Sequence, residues 1–353
     1  MVKRIPMLKI AAVYIGTVVG AGFATGQEIL QFFSKFGISG IWGIVLSTVL
    51  FMLFGYIIIE LGYKLSAKSH LEIIKSASGK FIGSLMDIII IFFLFGFFTT
   101  MIAGTGALFS QQFGWPSMLG CIIMAVATAI TVMTGLDGVI NSISIVVPFL
   151  LLSVFGICIY TITKNPIYFS IAINTNGLVN NWLIAGILYV SYNTIMSISV
   201  LGPMGANAKS KKAILFGSIL GGLGLGVGAL LINLAIISLN KSMSFEVPML
   251  YIASNISPLI VTFFSAILIA EVYTTAVSSL YGFVARTFEI SKFANNKNIA
   301  IIVITIIAFF ASQLGFSNLV KYLYPIAGYG GLVLLVCFLY SWIKNKTKSR
   351  CGG

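Results

Sequence analysis

Apolar runs of about twenty residues, each long enough to cross the hydrocarbon core of a bilayer, follow one another from end to end of this chain. Backbone polar groups must be satisfied within each such segment, so the runs can only be helices. Charge supports the same class. Only 8% of residues are charged and the mean hydropathy is +1.07, against roughly 25% charged residues in a soluble domain. The expected fold is therefore an all-α integral membrane protein. No polar stretch is long enough for a separate soluble domain, and residues 1–353 read as a single transmembrane domain.

Ten spans are expected, near 8–35, 39–65, 81–111, 116–134, 138–163, 182–205, 211–240, 248–288, 298–315 and 319–343. The formal charge of +13 could suggest a nucleic-acid partner, but the basic residues form no single patch. They sort by loop, as the positive-inside rule requires. With the N-terminus in the cytoplasm, 17 Lys and Arg residues fall inside, among them Lys9, Lys64, Lys75, Lys209, Arg286 and Lys344. Outside are Lys35, Lys164, Lys241 and Lys321. Both termini are thus expected in the cytoplasm, and nucleic acid is excluded as a partner; the lipid bilayer is the obligatory one. Cys121, Cys158, Cys337 and Cys351 have no close spacing, which argues against a disulfide framework or a metal-binding motif. The first span is too long and too glycine-broken for a cleaved signal peptide.

Within this frame one segment breaks the rules. Gly16-Thr-Val-Val-Gly-Ala-Gly-Phe-Ala-Thr-Gly-Gln-Glu28 puts four glycines and a carboxylate into the first span. Glycine weakens a helix and a charge in hydrocarbon is costly. Gly16 and Gly20 alone could be packing glycines at Gly-xxx-Gly spacing, but that leaves Gly22, Gly26, Gln27 and Glu28 unexplained. A helix interrupted here frees carbonyls at one end, suited to a cation, and N–H groups at the other, suited to an anion.

Ten spans divide as five plus five, about 8–163 and 182–343, around the loop near residues 164–181. An odd number of spans per half gives the halves opposite orientations, so an inverted repeat is available. The first span of the second half carries Ser191-Tyr192-Asn193-Thr194 at mid-depth and Gly202-Pro203 near its end. It is expected to be interrupted like the first, and paired interruptions point to a binding site. The third spans of both halves are unusually long, as tilted helices would be.

The eighth span supplies Glu271, then Thr275, Ser278 and Ser279 on one face at i, i+3 and i+4. Three hydroxyls could complete the oxygen shell of a small hard cation; equally, they could bond back to the i−4 carbonyls. Glu28 and Glu271 are intramembrane acids, each a candidate proton site or partner for an ammonium group, and no basic residue lies at their depth. Phe97, Phe98, Thr99 and Thr100 on the third span, with Phe23 and Tyr192, are expected neighbours. Glu60, Glu72, Asp87 and Glu289 fall at cytoplasmic span ends, where solvation or gate-type pairing with Lys or Arg is expected; Asp137 lies in a short cytoplasmic turn and His70 in a basic loop, and structural roles are expected for all of them. No Ser/His/Asp set, zinc spacing or nucleotide loop occurs, so enzymatic chemistry and ATP hydrolysis are not expected.

The Gly16–Glu28 stretch, the polar sixth span and the Thr275/Ser278/Ser279 face together resemble the amino acid–polyamine–organocation superfamily with its LeuT-type fold. Over essentially the whole chain the sequence is most similar to bacterial YkvI-like membrane proteins, which share the glycine-rich first span ending in Gly-Gln-Glu. The resemblance implies a Na⁺ coupling ion, with no other cofactor, held by carbonyls of Gly16 and Val19 and hydroxyls of Thr275, Ser278 and Ser279. It implies a substrate between the first and sixth helices. The matching positions are Val19, Gly20, Ala21, Gly22, Phe23, Thr25 and Glu28, with Ser191, Tyr192, Asn193 and Thr194, flanked by Thr100 and Glu271. The implied activity is Na⁺-coupled symport of a small amino acid or related amine by alternating access, in a bacterial cytoplasmic membrane. H⁺ coupling through Glu28 or Glu271, or a non-transporting ligand sensor, are the alternatives. One departure stands out: Gln27 and Glu28 follow the break, where several amino acid transporters have no acid.

Overall fold

The computed structural model describes residues 4–67, 69–134, 137–167, 178–290 and 297–351. The first expected span is three helices in series, α1 (Met7–Val18), α2 (Ala21–Ala24) and α3 (Gln27–Phe32). There follow α4 (Ile38–Leu65), α5 (His70–Phe113), α6 (Ser117–Thr134), α7 (Asp137–Lys164), α8 (Trp182–Ala206) and α9 (Lys211–Ser238). The rest of the chain forms α10 (Pro248–Ser254), α11 (Pro258–Ile290), α12 (Lys297–Ser312) and α13 (Phe316–Cys351). Seven of these, α4, α5, α6, α8, α9, α11 and α13, are long and apolar enough to cross a membrane unaided. Three shorter apolar helices, Met7–Val18, Pro148–Lys164 and Lys297–Ser312, stand at the remaining expected spans.

Helix ends follow local chemistry. Asn181 caps α8 by accepting from Leu183 N–H at 2.8 Å, and Ser210 caps α9 by accepting from Ala213 N–H at 3.1 Å. Pro248 opens α10, where its missing N–H costs nothing. Two boundaries depart from expectation. The expected eighth span is α10 and α11 in series, separated at residues 255–257 ahead of Pro258. The third begins at His70 and turns at Gly79, whose φ of +80° only glycine adopts readily, so its first nine residues form a separate arm. Tilt therefore accounts for only part of the extra length of either span.

A larger correction concerns α8. It runs unbroken from Trp182 to Ala206 through the Ser191–Thr194 cluster, so the expected interruption of the sixth span is absent. The polar side chains find acceptors without unwinding. Ser191 Oγ donates to Gly328 O on α13 at 2.6 Å, and Asn193 Nδ2 to Tyr189 O one turn back at 2.9 Å. Pro203 sits in the last turn, where one lost intrahelical bond is tolerated.

The helices pack through small residues, the usual device where lipid offers no hydrophobic drive. Where α4 crosses α8, a side chain at Gly62 would overlap the Gly202 carbonyl, and one at Gly205 would overlap that of Ile59. The Tyr14 ring of α1 lies between Gly55 of α4 and Gly221 of α9, with its hydroxyl donating to Phe51 O at 2.8 Å. The N-terminal segment is tied to the α8–α9 turn by Ile5 N to Asn207 O (2.8 Å) and Lys209 N to Ile5 O (3.0 Å). Lys9, Lys209 and the start of α9 therefore share one end of the bundle.

Candidate functional site

The first span breaks where the glycines stand. Val19 (φ −73°, ψ 99°) and Gly20 (φ −117°, ψ −170°) are extended, ending α1 and preceding α2. Val19 N–H closes α1 on Ile15 O, and Ala24 N–H opens α2 on Gly20 O. The carbonyls of Gly16–Val19 and the N–H groups of Gly20–Phe23 are thus the unsatisfied ends of two helices meeting at one point. A second break follows at Gly26, whose φ of +79° is the left-handed conformation that favours glycine. It turns the chain into α3 and brings Glu28 back over α2. The Glu28 side chain lies against Gly22, so that an added Cβ there would stand 2.7 Å from Cδ and 2.9 Å from Cγ. Its carboxylate accepts a hydrogen bond from the Tyr192 hydroxyl of α8.

A cavity of about 990 Å³ opens onto this break. Of the expected residues, Gly16, Val19, Gly20, Ala21, Gly22, Glu28, Tyr192, Asn193, Glu271, Thr275 and Ser278 line it. Thr275 stands directly opposite the break, its Oγ1 3.9 Å from where a Gly20 Cβ would be. Ser278 Oγ donates to Thr274 O at 2.8 Å, the back-bond anticipated as the structural alternative. That bond uses the hydroxyl proton and leaves oxygen lone pairs free to face a cation. Glu271 is 4% exposed, and its Oε2 has no hydrogen-bond partner.

The remaining expected residues are buried away from the cavity lining. Phe23 packs near Gly228, Thr25 Oγ1 donates to Gly22 O at 2.9 Å, and Thr100 Oγ1 donates to Gly96 O at 2.9 Å. Ser191 turns to α13, and Thr194 and Ser279 are enclosed in the helix packing. Thr25 and Thr100 thus satisfy backbone carbonyls on their own segments, as hydroxyls in apolar helices commonly do.

Sequence reasoning missed three parts of the site. Tyr324 of α13 lines the cavity, its ring 5.2 Å from Tyr192 and 4.9 Å from Phe97. Asp87 pairs with Arg286, within the expectation of a Lys or Arg partner at a span end, with Nε at 2.9 Å and Nη2 at 2.7 Å from the carboxylate; what was missed is that this bidentate pair stands in the cavity wall. His70 begins α5 rather than lying in a loop, and it also lines the cavity. The acids at Asp137 and Glu289 lie where side chains fall outside the described residues.

The cavity has an open and a closed end. Exposed Lys9, Ser199 and Val200 line its mouth, at the end tied to the N-terminal segment. Beyond Glu28 the path is filled by Phe32, Phe33 and Tyr189, all buried, with ring centroids 4.9–5.4 Å from Tyr189. Gln27 Nε2 donates to Ser317 Oγ at 2.7 Å and Gln111 Nε2 to Val247 O at 3.0 Å, tying helices together on that side.

The fold is that of several solved transporters. MhsT in complex with L-phenylalanine superposes with a TM-score of 0.64 at 15% identity, over 94% of this chain and 89% of that one. The inward-facing conformation of Mhp1 gives 0.63 at 11%, over 90% and 76%. A substrate-bound, outward-open Na⁺-coupled sialic acid symporter gives 0.62 at 14%, over 95% and 79%. No protein-family model matches the chain. Two Bacillus subtilis (strain 168) proteins align along nearly its whole length. YyaD is 28% identical over 335 residues, covering 95% of this chain and 96% of its own. The membrane protein YkvI is 30% identical over 335 residues, covering 94% of each. With its broken first helix set in the LeuT-type fold, the chain belongs to the YkvI family of membrane proteins.

Proposed function

We propose that this protein is a secondary active transporter that couples Na⁺ entry to uptake of a small amino acid or related amine by alternating access. The observation that carries the reading is the pair of free helix ends at Val19–Gly20, facing Thr275 across the cavity. Na⁺ is held by the carbonyls of Gly16 and Val19 and by the hydroxyls of Thr275 and Ser278, an all-oxygen set suited to a hard cation. The solute lies one turn deeper, against Gly20–Gly22, Glu28, Tyr192 and Asn193. Ten spans arranged as a 5+5 inverted repeat, with both termini in the cytoplasm, make the cavity mouth at Lys9 the cytoplasmic opening. The solved structures of like fold support this reading, since the sialic acid symporter is Na⁺-coupled and MhsT holds an amino acid.

Coupling requires that ion and solute together favour one conformation by their differential affinity. Uptake into proteoliposomes, with an inward gradient of Na⁺ or of K⁺, tests it. Uptake is expected only with Na⁺, and Thr275→Ala/Ser278→Ala is expected to raise the Na⁺ concentration needed for half-maximal rate about tenfold. Equal uptake in both salts, unchanged in the double variant, would overturn the sodium assignment. A second reading, H⁺ coupling, rests on the two buried carboxylates in the cavity. Under it, Glu28→Gln or Glu271→Gln would abolish the pH dependence of uptake.

A further inference from the structure

The place where a broken helix receives an anionic solute group is the free N-terminus of its second half. Here that place is already taken. The side chain of Glu28 is folded onto Gly22 of α2, and its carboxylate engages the Tyr192 hydroxyl. A carboxylate arriving with the solute would meet the Glu28 carboxyl group and no free space at the same spot.

The surroundings of Glu28 suit the opposite charge. The rings of Tyr192, Phe97 and Tyr324 line the cavity beside it, with centroids 4.9–6.3 Å apart. Aromatic faces next to a carboxylate are the chemistry that holds ammonium groups. Across the cavity, Glu271 is 4% exposed, with Oε2 lacking any partner among the described residues. Among the described residues the only Lys and Arg lining the cavity are Lys9 and Arg286; Arg286 is held by Asp87, and Lys9 stands at the mouth. No group of three or more His, Cys, Asp or Glu side chains suited to a metal ion occurs among the described residues, so an organic cation fits better than a divalent metal.

We propose that the solute is an amine without a carboxylate, its ammonium group seated between Glu28 and the Tyr192, Phe97 and Tyr324 rings, with Glu271 facing its positive charge. The assignment rests on the reading of this cavity as a solute site and narrows it from amino acids to their decarboxylated counterparts. Isothermal titration of the purified full-length protein tests it with three matched pairs: phenethylamine and phenylalanine, agmatine and arginine, isobutylamine and valine. Each is measured in NaCl and in KCl. In the pair that binds most tightly, the amine is expected to bind about tenfold or more tighter than its amino acid, a difference of about 1.4 kcal/mol. Glu28→Gln, which keeps the shape of the side chain and removes its charge, should shrink that preference by weakening the amine, and Glu271→Gln, which keeps Glu28, should weaken the amine about fivefold or more.

A tighter-binding amino acid in that pair, silence from all three amines, or an amine preference untouched in both variants overturns the proposal. If Glu28→Gln does not fold, Glu271→Gln decides alone. Amine binding equal in NaCl and KCl sinks sodium coupling and leaves the amine assignment standing. Na⁺-dependent binding of an amino acid over its amine does the reverse.

Discussion

Gly22→Ala is the smallest perturbation that reaches the proposed solute site without substituting a polar residue. The new Cβ would stand 2.7 Å from Glu28 Cδ and 2.9 Å from Cγ, against 3.4 Å or more for ordinary contact. The whole Glu28 side chain must therefore move, not just its tip. Tyr192 loses its acceptor, a hydrogen bond to a charged group worth about 1.5–3 kcal/mol. If that geometry is what receives the solute, affinity falls about 10- to 150-fold. Stability moves differently. Gly22 has no left-handed backbone, and alanine in a helix gains about 0.5–1 kcal/mol over glycine. The lost Tyr192–Glu28 bond outweighs that gain, so the expected signature is a modestly lowered melting temperature with solute binding lost, read by titration and thermal unfolding on one preparation. A Gly22→Ala protein that binds its amine as tightly as wild type would refute the role given to Glu28.

Two further predictions concern the scaffold and the cavity. Gly62→Ala or Gly205→Ala puts a methyl group into a backbone carbonyl at the α4–α8 crossing; each should lower stability by about 1–3 kcal/mol, measured as a fall in melting temperature in detergent. Ser278→Cys, in a background lacking Cys337 and Cys351, should react with a membrane-impermeant thiol reagent in inside-out vesicles and not in right-side-out ones. Labelling from the outside alone would contradict the cytoplasmic opening.

What could be read in advance depended on whether the physics was local. The Gly16–Glu28 break was legible because glycines and an acid in a membrane helix are each costly, and their coincidence leaves few explanations. The Ser191–Thr194 cluster carried the same outward sign and was misread as a second interruption. Asn193 bonds back within the helix, but Ser191 is satisfied across the bundle by a carbonyl 137 residues away, and no local rule foretells that. The break before Pro258 was written in Asn-Ile-Ser-Pro but was overridden by the hydrophobicity on either side. Partnerships such as Gln27 with Ser317, 290 residues apart, and Asp87 with Arg286, 199 apart, become visible only when the helices are assembled. Tyr324 gave no signal at all, because an aromatic residue in an apolar span reads the same whether it faces lipid or a cavity.

The four-residue helix α2 carries a last consequence. Ala24 N–H to Gly20 O, Thr25 N–H to Ala21 O and Gly26 N–H to Phe23 O hold its backbone locally, and an isolated helix so short does not persist in water. Its order is borrowed from the walls around it and from whatever fills the space at its ends. Occupancy of the cavity and rigidity of this segment are then one quantity seen from two sides. Filling the site should slow hydrogen exchange at the Gly20–Phe23 amides before the rest of the bundle responds. The same four residues would report on saturation without any labelled solute.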